Sequence, residues 1–161
     1  MEQKNDKLMP ALYGGLLIAT IWAVPGLNFL NGLCCAGVML GGFVAVLLYQ
    51  QQKGEGSVPM VKDDCLQLGM YAGVIGAVAG VIIQYVVLAV FGDVMLEMML
   101  RIVERMAVDL PPDFYDMIET ARQTERTPVS FVLDVILMGM VNSIFSVFGA
   151  LIGWKVFRPQ A

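Results

Sequence analysis

Hydrophobic and polar positions are sorted into blocks along this chain, not alternated residue by residue. Four long apolar runs stand apart: Leu8 to Val24, Gly32 to Tyr49, Leu66 to Phe91 and Val135 to Val156. A helix needs about 20 apolar residues to cross the hydrocarbon core of a bilayer, which is about 30 Å thick. The first run, residues 8–24, is short by that measure, about 25 Å at 1.5 Å per residue. Lys4 and Lys7 precede it as they would a signal peptide. No A-x-A site follows and a second run begins almost at once, so the pattern predicts a first span.

The breaks between runs have local causes. Pro25-Gly26 ends the first helix, because proline cannot continue the hydrogen-bond ladder, and Asn28 and Asn31 make the connection polar. The stretch from Gln50 to Asp64 carries Gly54, Gly56, Ser57 and Pro59 and reads as a loop. Asp63 and Asp64 suit the first turn of the following helix, where acids meet the positive end of the helix dipole.

Residues 93–127 follow another pattern. Val94, Met95, Met98, Met99, Ile102, Val103 and Met106 recur at helical spacing, with Glu97, Arg101, Glu104 and Arg105 between them. This predicts an amphipathic helix. Leu110-Pro111-Pro112 breaks it, and a second, more polar helix is predicted from about Pro112 to Thr124, with Phe114, Met117, Ile118 and Ala121 on its apolar face. Thr127-Pro128 reads as an N-cap with proline at the first helical position. The fold class expected is all-α: a single polytopic membrane domain over residues 1–161, with four transmembrane helices. An extramembrane amphipathic helical hairpin stands between the third and fourth.

Composition strengthens this picture. Hydrophobic residues make up 58% of the chain and charged residues 15%, against about 45–50% and about 25% in soluble domains. The formal net charge is −4, but eight of the fourteen acids lie in residues 93–127, together with four Arg. The remaining bases are scattered, so no nucleic-acid-binding surface is expected. With four spans, Lys4, Lys7, Lys53, Lys62, Lys155 and Arg158 share one side. The positive-inside rule then predicts cytoplasmic N- and C-termini in a multi-pass inner-membrane protein. Tyr13, Tyr49 and Trp154 fall near the inner interface, Trp22 and Phe91 near the outer one.

Candidate chemistry is sparse. Histidine is absent, which removes the commonest general base and metal ligand. Cys34, Cys35 and Cys65 show no CxxC spacing and read as free thiols packed as small apolar residues, with reversible acylation the alternative for Cys65. The methionines of 95–106 suit an amphipathic face better than copper. The glycines form no phosphate-binding loop, and no nucleophile sits beside a base. No enzyme activity, cofactor or metal is expected.

The clearest signal is a set of small-residue stripes: Gly37, Gly41 and Ala45 in the second span, Gly69, Gly73, Gly76 and Gly80 in the third, and Gly139, Ser143, Ser146, Ala150 and Gly153 in the fourth. Helices in lipid associate through close backbone approach, which small residues permit. The stripes point to packing within the bundle, with a homodimer seam as the alternative. Gln84 and Asn142 lie deep in spans and are expected to face the bundle interior, near each other. Asp134 adjoins the last run and is expected at the outer interface, paired with an Arg of the acidic segment.

The order of parts carries a resemblance. Leu40 to Tyr49, Gly69 to Gly80 and Met95 to Met106 make the chain similar to a broad group of small bacterial four-helix integral membrane proteins classed only as a domain of unknown function. The resemblance implies a bacterial membrane protein and brings no site residues; the stretch Asn28 to Cys35 has no place in that pattern. The function expected is a non-enzymatic accessory, scaffold or assembly component, with the lipid bilayer and a membrane partner or second copy as its contacts. The alternative is a small transporter or channel with a polar path near Gln84, Asn142 and Asp134.

Overall fold

The computed structural model describes residues 7–23, 35–53, 60–92, 94–105, 111–123 and 127–157. These form six helices and, among the described residues, no strand: α1 Leu8–Ala23, α2 Ala36–Gln52, α3 Lys62–Phe91, α4 Val94–Arg105, α5 Pro112–Gln123 and α6 Pro128–Phe157. The all-helical expectation and the helical pair α4 and α5 are found where the pattern put them. Residues 32–34, assigned from the pattern to the second span, lie outside the described residues, as do Cys34 and the Pro25-Gly26 turn.

Helix ends follow local chemistry. Thr127 caps α6: its Oγ1 accepts the Ser130 N–H at 3.2 Å, and its carbonyl accepts the Phe131 N–H at 3.1 Å. Asp63 and Asp64 occupy the first turn of α3, as expected. Gly92 closes α3 with φ +74, donating its N–H to Leu88 O. Only glycine adopts that conformation without strain, and the chain turns there into α4. α6 begins seven residues before Val135, because the Thr127-Pro128 start signal, not the edge of the apolar run, sets where the helix begins.

The count of spanning helices differs from the expectation of four. Among the described residues, α3 and α6, 30 residues each, are the two helices long and apolar enough to cross a membrane. α1 has 16 residues and α2 has 17, about 24 and 26 Å, against about 45 Å for α3 and α6. Apolarity along the sequence ran to Val24 and from Gly32, but described helix occupies only part of each run.

α3 packs between α1 and α6, and α2 closes the ring on the other side, against α1 and α6. The interior is small. Ala11, Ala45, Ala72, Ala77 and Ala150 are buried, with Gly14, Gly15, Gly41 and Gly73 among them. Ile18, Leu68, Val38 and Val46 are fully buried with them, while many large aliphatics of the two longest helices point outward: Val74, Val78 and Ile82 on α3, and Ile136, Ile144 and Ile152 on α6, are exposed. Fewer than a quarter of the residues in the apolar stretches of α3 and α6 are buried. A soluble protein keeps most of its surface polar; here α3 and α6 expose large aliphatics along much of their length. Even exposed Thr20 turns its hydroxyl back, donating to Leu16 O at 2.8 Å.

Candidate functional site

The closest approaches in the molecule run through glycine. A Cβ built at Gly42 would overlap the carbonyl oxygen of Ser146, and one at Gly149 would overlap the carbonyl of Met39, so α2 and α6 touch backbone to backbone. On α3, Gly73 lies against Ser143, where a Cβ would stand 2.5 Å from the Ser143 Cα, and Gly69 lies against Val147 and Ala150. Gly76 meets Ile18, Gly41 meets Gly14 and Ile18, Gly153 meets Val46, and Gly80 touches Trp22 at ordinary distance. Gly37 is buried in α2. The stripes therefore pack helix on helix within the chain at all of these positions.

One stripe residue does not. Gly139 has open space around it. Gly42 sits against Ser146, so α2, which starts at Ala36, ends near the level of Gly139 and gives it no cover. The pattern named Gly41 but passed over Gly14, Gly15 and Gly42, which are packed as tightly. Gly14-Gly15 and Gly41-Gly42 are adjacent pairs, turned about 100° from each other on a helix. Each pair serves two neighbours: Gly14 meets α2 and Gly15 meets α3, while Gly41 meets α1 and Gly42 meets α6. A Gly-Gly pair inside an apolar helix is the signal that would have found them.

The three polar candidates do not assemble. Asn142 is 2% exposed and lies beside Gly73, where it lines a narrow crevice with Trp22, Gly76, Ala77, Gly80, Val81 and Met138. The crevice is too narrow for a water molecule. The indole Nε1 of Trp22 and the Oγ of Ser146 are buried without a hydrogen-bond partner; Ser146 serves by its small size, not its hydroxyl. Gln84 is exposed, contrary to its expected inward orientation. It lies one turn beyond Gly80, past Trp22 near the end of α1. The antiparallel register of α3 and α6, with Gly73 on Ser143 and Tyr85 on Phe131, also separates it from Asn142 by about ten residues, or about 15 Å. Replacing Gln84 with Leu is expected to leave thermal stability in detergent within about 0.5 kcal/mol of the parent. A large loss of the folded form would show that the amide has a partner.

Asp134 is half-buried, and its partner is not an arginine among the described residues. The Tyr85 hydroxyl donates to Asp134 Oδ2 at 3.0 Å, and the Tyr85 ring stands edge-on to Phe131 at 5.1 Å. Ser130 Oγ donates to Thr127 O at 2.7 Å and lies 3.4 Å from the Tyr85 oxygen. Each hydroxyl has one proton. With those protons on Asp134 and on Thr127, the tyrosine–serine contact is one of packing. Tyr85→Phe removes a bond to a carboxylate, and a loss of about 1–2 kcal/mol is expected in chemical or thermal unfolding. An unchanged midpoint would place that hydroxyl's bond outside the stability of the fold.

At the other end of the bundle, three helices meet at one acid. Lys7 Nζ, at the start of α1, lies 2.6 Å from Asp64 Oδ1 and donates to Gln67 Oε1 at 2.8 Å. Lys53 Nζ, at the end of α2, lies 3.9 Å from Asp64 Oδ2 and 4.9 Å from the centre of the Tyr49 ring. The hydrogen bond to Asp64, helped by its charge, holds the Lys7 ammonium above its ordinary pKa of 10.5, against the lowering by burial. Trp154 Nε1 donates to Met60 O at 3.1 Å and ties the end of α6 to this level. Cys65 is fully buried here, so acylation has no exposed thiol to reach.

Two polar levels thus bracket the bundle. On α3 they are Asp64 and Tyr85, and on α6 Lys155 and Asp134. Both pairs are 21 positions apart (85 − 64 and 155 − 134), about 31 Å of helix. No charged residue lies between the levels on α3 or α6, and none occurs from residue 8 to residue 52. Among the described residues no group of three metal-ligating side chains comes together. No family model, curated protein or solved structure matches the chain.

Proposed function

We propose that the chain is a four-helix integral protein of a bacterial cytoplasmic membrane, acting without catalysis as a scaffold or assembly component. The observation that carries this reading is the run of large aliphatics exposed along α3 and α6, around an interior rich in glycine and alanine. In water such a surface would be one apolar patch far larger than monomeric soluble proteins expose. In lipid it is neutral, and cohesion comes from the close backbone contacts that Gly42, Gly149 and Gly73 permit. The uncharged length of about 31 Å between the polar levels fits a hydrocarbon core of about 30 Å. α1 and α2 pack alongside α3 and α6 within that length, which supports four spans despite their shortness. Lys7, Lys53 and Lys155 lie toward one end of the bundle, which by the positive-inside rule supports cytoplasmic termini.

A scaffold is favoured over a conduit because backbone contacts cross the interior and the crevice beside Asn142 leaves no room for water. Gln84, Asn142 and Asp134 share no path. The resemblance to small bacterial membrane proteins of unknown function belongs to the same proposal. Extraction in mild detergent, followed by identification of co-purifying proteins, tests it. A membrane partner in fixed stoichiometry is expected, kept in Gln84→Leu and lost when residues 94–123 are replaced by a flexible linker. A chain that purifies alone and carries solute across proteoliposomes overturns the reading.

A further inference from the structure

α4 is the one amphipathic helix tied directly to the end of a spanning-length helix. α3 continues six residues past Tyr85, about 9 Å, and its tip is apolar and exposed, with Phe91 at 71%. The headgroup layer on each side of a bilayer is of that depth, about 5–8 Å. Gly92, with its positive φ, then turns the chain, and α4 starts at Val94. Among the described residues, the extensive helix–helix contacts that hold the bundle are made among α1, α2, α3 and α6.

On α4, Glu97, Arg101 and Arg105 are exposed and, at about 100° per residue, share one arc of the helix. Met98 and Ile102, four apart, lie exposed immediately beside that arc. The arginines thus border an open apolar strip, the position from which a guanidinium reaches phosphate while its stem lies on hydrocarbon. α5 is different. Its exposed Met117 is flanked by exposed Asp113 and Asp116, a face that phosphate repels.

We propose that α4 is a lipid-surface helix, lying in the headgroup–acyl boundary of the bilayer that α3 and α6 cross. Met98 and Ile102 are immersed, Arg101 and Arg105 lie on lipid phosphates, and α5 is held away in water. Glu97 offsets part of the charge, so zwitterionic lipid suffices. This rests on the membrane reading above.

The test uses the full chain reconstituted in phosphatidylcholine vesicles with brominated acyl chains. Tryptophan is introduced singly as Met98→Trp, Ile102→Trp, Met117→Trp or Val78→Trp, and the parent emission is subtracted. Quenching of about twofold is expected for Met98→Trp and Ile102→Trp, and little for Met117→Trp. Val78→Trp, midway along α3, is the separate check on the membrane reading. If it escapes quenching, that reading fails and the inference with it. If Val78→Trp is quenched while Met98→Trp and Ile102→Trp are not, α4 does not lie on lipid and the inference alone is overturned. Shielding of the α4 probes that grows with protein-to-lipid ratio would assign the face to a second copy, also overturning it.

Discussion

Gly149→Leu destroys the packed bundle, and Gly42→Leu does the same. At both positions the obstacle is a backbone carbonyl of the facing helix, Met39 O for Gly149 and Ser146 O for Gly42. A side-chain obstacle can change rotamer, but a carbonyl moves only if its helix moves. Extra methylenes in a core that can adjust cost about 1–3 kcal/mol. Here α2 must separate from α6 along its length, so a loss above about 3 kcal/mol is expected, comparable with much of the stability of a small domain. Even alanine at these sites should lower the unfolding midpoint. Gly139→Leu is the matched control, since Gly139 borders open space. Size-exclusion profiles and thermal unfolding in detergent decide the matter. A Gly149→Leu protein as stable as Gly139→Leu would mean that α2 and α6 do not touch as described.

Asp64→Ala is the second large effect. It takes away the one acid that Lys7 and Lys53 share, and the Lys53 side chain is only 7% exposed. Removing one partner of a fully buried pair costs about 3–5 kcal/mol, because the remaining charge is stranded. Asp64 and Lys7 retain partial access to water at 21% and 25%, which screens the pair, so about 2 kcal/mol is expected. Removing one of the two lysine charges that lose this acid, in Lys7→Met with Asp64→Ala, should recover part of the loss. The same contact gives a pH signature. The Lys7 pKa is raised by folding, so its contribution is complete below its ordinary value of 10.5 and fades as pH rises beyond it. Unfolding midpoints followed from pH 8 to above pH 11 should therefore fall less steeply in Lys7→Met than in the parent. Equal slopes would rule out Lys7 as the source.

What the sequence made legible was what depends on near neighbours along the chain. Thr127-Pro128 starts α6 because capping is local, and Gly69 to Gly80 face inward because one helix fixes their phase. What stayed hidden depends on how far neighbouring helices extend. Gln84 continues the α3 stripe by phase, yet α1 ends short of it, so it is exposed. Gly139 continues the α6 stripe in the same way and outruns α2. Asp134 was assigned an arginine because charge suggests countercharge; the antiparallel register brings it Tyr85, while Arg126 and the side chain of Arg122 lie outside the described part of the chain. Gly42 and Gly149 were passed over because stripe counting follows one face, while a helix in a ring presents two.

The equal spacing of the polar levels on α3 and α6 has a consequence for where such a protein can reside. Helices whose polar ends differ in spacing adapt to bilayer thickness by tilting separately. Here both lengths are about 31 Å, the helices run antiparallel in fixed register, and one end is tied through Asp64 to α1 and α2. Tilting the unit as a whole is then the only adjustment open to it. A thinner bilayer can be met by tilt, whereas a thicker one must itself compress, at fractions of a kcal/mol per Å of hydrophobic mismatch. On the proposed membrane reading, the bundle would be limited by membrane thickness with an upper stop, and thicker membranes would be expected to exclude it or drive it to cluster.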